Sequence, residues 1–239
     1  MKDKIILITG AGRGIGRAAA SIFAEAGDKV AICARSQGEL NGVAREIAST
    51  GGAVRPFQVD IASRREIHRM VERVISEWGR VDVLINNAGV LGQKSTLATT
   101  APESWEEVIR INLNGSFYVT QAVVRKMIPQ RSGTILSLSS SVGRKGRATW
   151  GGYAVSKFGL EGMMQCLAEE VAEFDIRVIT LNPEATRTKM RALAYPDEDP
   201  ARLKDPLVVA KALLALARSS DPSLHGCSLN LSELKIDAC

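Results

Sequence analysis

A tyrosine and a lysine four residues apart are the first candidates for chemistry in this 239-residue sequence. Tyr153 and Lys157 fall in a predicted helix, where a spacing of four places both side chains on one face, about one turn apart. A free tyrosine has a pKa of about 10, which is too high for efficient proton exchange at neutral pH. A nearby ammonium group favours the phenolate and lowers that pKa. The spacing is therefore suited to acid–base work, although it is also common in plain surface pairs of a helix.

A glycine-rich loop follows the first predicted strand and precedes a predicted helix. Its glycines at positions 10, 14 and 16 have the spacing G-x-x-x-G-x-G rather than the strict G-x-G-x-x-G. Glycines let the backbone approach a pyrophosphate, and the amides of the following helix N-terminus meet its charge. Packing alone also explains glycines in a tight turn, but the strand and helix around them favour a dinucleotide site. The candidate contacts here are Gly10, Gly12, Arg13, Gly14, Ile15 and Gly16.

The residues after the second predicted strand indicate which dinucleotide binds. An NAD site has an acidic residue about 20 positions after the glycine loop, where it binds the ribose 2′-hydroxyl. This chain has Ala34 and Arg35 there, with no carboxylate until Glu39. An arginine binds a 2′-phosphate in bidentate fashion, and Arg13 in the glycine loop is the second cation. We therefore expect NADP(H); the alternative is two solvated arginines.

The elements that position these residues alternate between short apolar runs and helical segments. Apolar runs of this kind are typical of parallel strands covered on both faces, joined by right-handed crossovers. The sequence predicts one α/β domain over residues 1–239, a Rossmann-like doubly wound parallel sheet with helices on both faces. Ligands of such sheets lie beyond the carboxyl ends of the strands. The predicted strands are Lys4–Thr9, Lys29–Cys33, Val54–Val59, Val81–Asn86, Gly133–Ser139, Ile176–Asn182 and Cys227–Leu231.

The composition excludes several classes of protein. With 45% hydrophobic and 24% charged residues, the chain is an ordinary globular one, and no apolar run approaches the ~20 residues of a membrane helix. The first ten residues lack a signal-peptide core, so we expect a cytoplasmic protein. The net charge of +5 is spread along the chain without interleaved aromatics, which argues against nucleic-acid binding. No metal is expected, because two histidines and four scattered cysteines show no ligand spacing: Cys33, Cys166, Cys227 and Cys239.

Several short motifs occur together in a characteristic order. By these motifs the sequence resembles the short-chain dehydrogenase/reductase family, in its single-domain branch, from Lys4 to about Thr188. Each motif is weak alone, but the order and spacing of the set are specific. The matching pieces are Thr9–Gly16, Asp60, Asn86-Asn87-Ala88-Gly89, Asn112 in Asn-Leu-Asn-Gly, Ser140, and Tyr153-Ala-Val-Ser-Lys157.

The resemblance implies catalytic roles for four residues. Reduction of a carbonyl needs a hydride from the cofactor and a proton, which Tyr153 would supply. Ser140 would hold the carbonyl oxygen by a hydrogen bond; its selection among three adjacent serines rests on the family's spacing. Lys157 would lower the tyrosine pKa together with an oxidised nicotinamide, and would bind the nicotinamide ribose. Asn112 would hold a water that links the lysine to solvent.

The resemblance also implies further cofactor contacts. Asp60 would bind the adenine ring, with Ile61 beside it. The segment after the fourth strand would line the adenosine ribose and support that strand, through Asn86, Ala88 and Gly89. Beyond Pro183, Thr188 would meet the carboxamide or a phosphate.

Three stretches depart from the family's pattern. Pro183-Glu184 stands where Pro-Gly is usual, which would place a carboxylate near the cofactor. The segment 189–205, usually a substrate lid, contains an acidic stretch that we expect to be a mobile loop. The end of the chain, 227–239, lacks the usual Val-Asp-Gly-Gly tail.

The pattern as a whole looks most like that of 3-oxoacyl-(acyl-carrier-protein) reductases. A basic cluster could dock an acidic carrier, and a second basic group would flank the active-site entrance; both could equally be solvated surface. The alternatives are an oxidoreductase of a small ketone, sugar, steroid or xenobiotic alcohol, and a catalytically silent dinucleotide sensor. In similar proteins the helix pairs Glu103–Lys126 and Tyr153–Ala172 form subunit faces, so we expect a homo-oligomer, a tetramer or a dimer. The two basic groups are Arg125, Lys126 and Arg131, and Arg144, Lys145 and Arg147.

Overall fold

The computed structural model describes residues Asp3–Leu234, and a parallel sheet of seven strands forms its centre. The strand order is β3-β2-β1-β4-β5-β6-β7. Every neighbouring pair is parallel, so all carboxyl ends lie at one edge of the sheet. The strands are β1 (Ile5–Thr9), β2 (Lys29–Ala34), β3 (Ala53–Gln58), β4 (Val83–Asn86), β5 (Gly133–Leu138), β6 (Ile176–Asn182) and β7 (Ser228–Asn230).

Helices cover both faces of the sheet. The α-helices are α1 (Gly14–Glu25), α2 (Gln37–Ser49), α3 (Arg64–Trp78), α4 (Pro102–Val108), α5 (Ser116–Gln130), α6 (Gly151–Val171), α7 (Lys189–Ala194) and α8 (Pro206–Arg218). One apolar core joins the sheet to α3, α5 and α6, and the other joins it to α1, α2 and α8. Burial on both faces explains why the strands read as continuous apolar runs.

The predicted fold is confirmed, and each of the seven predicted strands is present with ends shifted by two residues at most. The two outer strands differ from the inner ones. In edge strand β3, three of the six residues are exposed. The strand also contains Pro56, which an inner strand would not accommodate. The opposite edge, β7, has only three residues.

The strand order reverses at β1, which pairs with β2 on one side and with β4 on the other. The chain therefore leaves the sheet in opposite directions after β1 and β4, and a crevice opens between the two exits. This crevice is where the candidate residues of the glycine loop and of the Asn-Asn-Ala-Gly motif meet.

Within Asp3–Leu234, no helix is both long and apolar enough to cross a membrane. The same residues contain no cluster of three potential metal ligands. Cys239 and the last residues of the unusual tail lie outside the described part of the chain.

Candidate functional site

The glycine loop lies directly against the exit of β4. Gly10 adopts a φ of +65°, and a Cβ there would stand 2.7 Å from the Cα of Ala88. At Gly16, a Cβ would come within 2.4 Å of the Gly10 carbonyl oxygen. Only glycine permits both approaches, so these two residues bring helix α1, the loop and strand β4 together.

The N-terminus of α1 differs from those of its neighbours. Ser36 caps α2 and Ser63 caps α3, and each helix has a glutamate in its first turn. Arg13, at the N-cap of α1, makes no such side-chain bond, and the first turn of α1 contains no acidic residue. The partial positive charge of this terminus thus meets no side-chain oxygen of the helix, an arrangement suited to an anion.

A cavity of about 760 Å³ runs from this helix terminus along the carboxyl edge of the sheet. Its volume is typical of small-molecule and cofactor sites. We call the part near Arg13 and Arg35 the glycine-loop end, and the part near Tyr153 and Lys157 the tyrosine end. The candidate residues in its wall are Gly10, Gly12, Arg13, Gly14, Ile15, Arg35, Asp60, Ile61, Ala88, Gly89, Tyr153, Lys157, Pro183 and Thr188.

The two arginines expected at a 2′-phosphate both line the glycine-loop end, but each faces a carboxylate. Arg13 Nη1 lies 3.1 Å from Glu39 Oε1, and the arginine side chain is 60% exposed. Arg35 Nη1 lies 3.9 Å from Glu107 Oε1, and its side chain is 58% exposed. Because α2 begins directly after β2, its first turn carries Glu39 into the cavity wall. The sequence contained this signal, since Glu39 is the first carboxylate after Arg35.

Asp60 is the carboxylate at the end of β3. Its Oδ1 accepts a hydrogen bond from the Ala62 amide at 3.0 Å, and its Oδ2 accepts one from Arg110 Nη1 at 3.2 Å. Burial alone would raise the pKa of Asp60, but these bonds and the charges of Arg110 and Arg35 outweigh burial and lower it. Asp60 is therefore an ionised acceptor beside the cavity, next to the buried side chain of Ile61.

At the tyrosine end, the first turn of α6 meets the turn that follows β5. The half-buried Tyr153 shares a hydrogen bond with the side chain of Ser140. Burial raises the pKa of Tyr153 to about 12, against the lowering effect of that bond. This is opposite to the expected lowering by Lys157. The lysine Nζ is 5.8 Å from the centroid of the tyrosine ring, and the protein groups alone keep Tyr153 protonated at neutral pH.

Lys157 is buried at 5% exposure, and its Nζ donates a hydrogen bond to the Leu138 carbonyl oxygen at 2.7 Å. The close approach depends on Gly143, where a Cβ would lie 2.8 Å from the Cβ of Lys157. Burial lowers the pKa of Lys157 to about 8, and the charge of Glu161 opposes this effect. An ammonium that titrates near neutral pH thus stands in the wall of the cavity.

Asn112 lies in a π-helical segment, Ile109–Gly115, between α4 and α5. Its Oδ1 accepts from the Val90 amide at 2.8 Å, and its Nδ2 donates to the Val90 carbonyl at 2.8 Å and to Ser156 Oγ at 3.1 Å. The side chain is fully buried and outside the cavity wall. It connects the exit of β4 to helix α6, and its role with a water stays a prediction.

Three other candidates also lie outside the cavity wall: Gly16, Asn86 and Ser140. Asn86 requires a correction, because its Nδ2 donates to Thr120 Oγ1 at 2.9 Å and to Ser137 Oγ at 3.2 Å. It points into the protein and supports β4, as expected, but it does not line a ribose pocket. The neighbouring Asn87 does line the cavity, and its Nδ2 donates to the carbonyl oxygens of Thr9 and Gly10.

The segment 189–205 covers the tyrosine end. Its Tyr195 ring lies 5.7 Å from the ring of Trp150, which in turn lies 5.8 Å from that of Tyr153. Lys94 Nζ stands 4.8 Å from the Tyr195 centroid, and Arg147 Nη1 donates to the Tyr195 hydroxyl at 2.7 Å. No spacing in the sequence indicates this cluster, because its aromatic rings come from two separate stretches and Lys94 from a third.

Three carboxylates of this segment have partners within it or directly beside it. Glu198 accepts two hydrogen bonds of 2.6 Å from Arg191, whose guanidinium also stacks 3.9 Å from the Tyr195 ring centroid. Asp199 caps the short 3₁₀ turn that follows, and Asp205 caps α8. These three carboxylates therefore hold local structure in the segment that was expected to be a mobile loop.

Glu184 lies outside the cavity, contrary to the expectation that it would face the cofactor. Its carboxylate pairs with Lys204 and accepts a hydrogen bond from Ser232. Burial alone would raise the pKa of Glu184, but these two partners outweigh it and lower the pKa. The backbone φ of +57° explains why glycine suits this position, since a side chain there is strained.

In both of the basic groups expected at the surface, some side chains bond to other parts of the protein. Lys126 pairs with Glu72 at 2.7 Å, and Arg131 donates to the Glu173 carbonyl at 2.7 Å, whereas Arg125 is exposed. In the second group, Arg144 was expected at the entrance, but it points inward to Glu161 and Asn230.

Comparisons with known proteins agree with this geometry. Residues 4–199 match the family model described as short chain dehydrogenase. The uncharacterized oxidoreductase YciK of Escherichia coli is 41% identical over 209 residues, which span 86% of this chain and 82% of YciK. The 3-oxoacyl-[acyl-carrier-protein] reductase FabG of Thermotoga maritima is 36% identical over 95% of each chain.

The solved structures give the same picture. A short chain dehydrogenase from Shigella flexneri, in complex with NADP, superposes with a TM-score of 0.92 at 38% identity. The superposition covers 97% of this chain and 98% of that one. A short chain dehydrogenase from Escherichia coli, in complex with NADPH, gives a TM-score of 0.89 at 37% identity over 97% of each chain.

Proposed function

Because the chain belongs to the short-chain dehydrogenase family, we propose that it uses NADPH to reduce a ketone to a secondary alcohol. The observation that carries this proposal is the tyrosine end of the cavity. There, a protonated Tyr153 bonded to Ser140 shares one cavity with Lys157 and with the open N-terminus of α1. A silent dinucleotide sensor would not need this set of groups.

The residues present fit NADP(H). The uncapped terminus of α1 and the close-approach glycines suit a pyrophosphate, and Asp60 offers an ionised acceptor for the adenine. Arg13 and Arg35 would hold the 2′-phosphate, with Glu39 in competition for Arg13. Two relatives were solved with this cofactor bound, which supports the same choice here.

When bound, the cofactor supplies a hydride to the carbonyl carbon. Tyr153 gives the hydroxyl proton to the carbonyl oxygen, so that hydride and proton together convert the ketone into the alcohol. Ser140, beside the tyrosine hydroxyl, would hold that oxygen by a hydrogen bond as negative charge develops. The Lys157 ammonium stabilises the phenolate that remains and would bind the nicotinamide ribose.

The substrate that we propose is a 3-oxoacyl thioester. Its support is the 36% identity with a 3-oxoacyl-[acyl-carrier-protein] reductase over 95% of each chain. An acidic carrier would meet Arg125 and its exposed basic neighbours on α3, Arg64 and Arg65, which line a groove of about 430 Å³. A small ketone, sugar, steroid or xenobiotic alcohol is the alternative substrate; among these, Leu91, Met190 and Leu193 in the cavity wall favour the apolar ones.

We also propose that copies of the chain associate through α5 and α6, and that the enzyme acts in the cytoplasm. Large apolar side chains stand exposed on these helices: Phe117 at 41%, Val155 at 45% and Phe158 at 45%. Val155 and Phe158 are three residues apart and therefore share a face of α6. Burial of such side chains between subunits removes apolar surface from water.

The test is the oxidation of NADPH and NADH by the purified protein with acetoacetyl thioesters, diketones and sugars. We expect ketone-dependent loss of NADPH absorbance. No turnover of any ketone with either cofactor would contradict the proposal.

A second assay tests the carrier. The charge reversal Arg125→Glu should lower kcat/KM for a carrier-bound substrate and the salt dependence of that value. It should spare a small soluble thioester. Equal loss on both substrates, or no loss on either, would reject docking at this surface.

A further inference from the structure

A buried carboxylate lies one helical turn beyond Lys157. Glu161 is 5% exposed and follows Lys157 by four residues on α6, so both side chains stand on one face of the helix. Glu161 does not line the cavity, so it belongs neither to the glycine-loop end nor to the tyrosine end.

Three donors from three elements satisfy the carboxylate. Its Oε2 accepts from Thr180 Oγ1 at 2.7 Å and from Ser228 Oγ at 2.6 Å, and its Oε1 accepts from Arg144 Nε at 3.2 Å. Burial alone would raise the pKa of Glu161, but the hydroxyls of Ser139, Ser228 and Thr180 and the Arg144 charge outweigh burial and lower it. Glu161 is therefore ionised at neutral pH.

Arg144 links this carboxylate to the edge strand β7 by hydrogen bonds. Its Nη1 donates to Asn230 Oδ1 at 2.9 Å and its Nη2 to the Leu229 carbonyl at 2.9 Å, both in β7. A buried charge is costly without partners, so a network of this kind fixes Glu161 in one position.

The surroundings of Lys157 contain little else that is charged. Tyr153, on the same helix, is neutral, and β5 contributes only the Leu138 carbonyl oxygen. The 3₁₀ turn after β5 contributes Arg144, which is bound to Glu161. Of the groups facing the ammonium in the described chain, Glu161 is the one whose charge favours it.

We propose that Glu161 is a positioning residue that keeps Lys157 in its ammonium form while that lysine is buried. This role rests on the proposed function, in which the charged Lys157 supports Tyr153 and the nicotinamide ribose. Arg144 and the hydroxyls of Thr180 and Ser228 act one step further out, because they hold the carboxylate ionised and in place. Without the carboxylate, burial removes the proton from Lys157 at a lower pH.

The direct test is an NMR titration of lysine Cε-labelled protein without cofactor, with the Lys157 signal assigned from Lys157→Met. We expect the wild-type lysine to titrate with a pKa of about 8. In Glu161→Gln, which is nearly isosteric, the midpoint should fall by about one pH unit or more. Glu161→Asp keeps the charge and should stay closer to wild type than the glutamine variant.

Glu169→Gln is the matched control, because Glu169 is an exposed carboxylate on the same helix. It should leave the Lys157 midpoint unchanged. An unchanged or raised midpoint in Glu161→Gln would overturn the proposal. If that variant does not fold, a wild-type Lys157 that is already uncharged at pH 7 would overturn it.

The pH profile of reduction separates this role from a structural one. In the wild type, kcat/KM should fall as pH rises through the Lys157 midpoint. In Glu161→Gln this fall should occur at lower pH, and at acidic pH the kcat/KM of the variant should approach that of the wild type. A structural lesion would lower kcat/KM equally at every pH. The NMR titration needs no substrate, so it tests this inference on its own. A failure to reduce any ketone would refute the proposed function only.

Discussion

The two arginines at the glycine-loop end of the cavity stand in water, whereas Lys157 at the tyrosine end and its neighbour Glu161 are buried. Arg13 and Arg35 are more than half exposed and each faces a carboxylate, so solvent and neighbours weaken their fields. Lys157 and Glu161 are each 5% exposed, and burial changes the pKa of the lysine. Single substitutions should therefore have large effects on activity at the tyrosine end and smaller effects at the glycine-loop end.

The largest effect is expected for Tyr153→Phe. It removes the hydroxyl that shares a bond with Ser140 and keeps the ring beside Trp150. kcat/KM for ketone reduction should fall by at least about 10², while NADPH binding followed by fluorescence should change little. Near-normal turnover would show that another group supplies the proton.

A smaller change is expected at the glycine-loop end for the double substitution of Ala34→Asp and Arg35→Ile. The wild type should prefer NADPH over NADH by about tenfold or more, because exposure leaves only part of the 1.5–3 kcal/mol of a charge-assisted contact. The double variant adds repulsion and removes attraction, and should shift the preference toward NADH. The measurement is kcat/KM for both cofactors with one ketone.

Glu39→Gln tests whether a neighbouring carboxylate weakens cofactor binding at the glycine-loop end. Loss of this carboxylate frees Arg13 and should tighten NADPH binding, most at low salt. Glu46→Gln is its control, because Glu46 pairs with Arg17 instead. A wild-type preference for NADH, or no effect of Glu39→Gln on NADPH affinity, would show that these arginines do not hold the 2′-phosphate.

The cover of the tyrosine end should respond more weakly. Tyr195→Ala removes the ring that packs on Trp150 and that Lys94 and Arg191 face. The loss of aromatic contacts of about 0.5–1.5 kcal/mol should raise KM for the ketone by about two- to tenfold, with less change in kcat. Tyr195→Phe, which keeps the ring and loses the Arg147 bond, should lie in between. Equal KM values in all three proteins would contradict a covering role.

The smallest effect is expected for Glu184→Gly. The carboxylate pairs with Lys204 and Ser232 outside the cavity, so NADPH affinity should stay flat across salt concentrations. Relief of the left-handed backbone gains about 1–2 kcal/mol and loss of the exposed pair costs about 0–1 kcal/mol, so Tm should rise slightly or stay level. A clear tightening of NADPH binding at low salt would contradict this placement of Glu184.

Sequence reasoning reached the fold and the glycine loop because both depend on local rules. Apolar runs with crossovers specify the sheet, and Gly10 and Gly16 are required by backbone approaches of under 3 Å. The side-chain partners could not be predicted in this way. Glu39 enters the cavity because α2 starts directly after β2, and Arg144 turns inward because Glu161 is buried beside it. Such contacts join residues distant in sequence, so no spacing along the chain encodes them.

The two edges of the sheet restrict how copies of this chain can associate. Edge strand β3 contains Pro56, which lacks the N–H that a further strand would need as a hydrogen-bond donor. The other edge, β7, offers three residues, Ser228–Asn230, too short a template for an added strand. Continuous sheets across subunits and edge-to-edge aggregation are therefore both disfavoured. The proposed association through α5 and α6 needs no strand pairing and leaves the sheet of each copy intact.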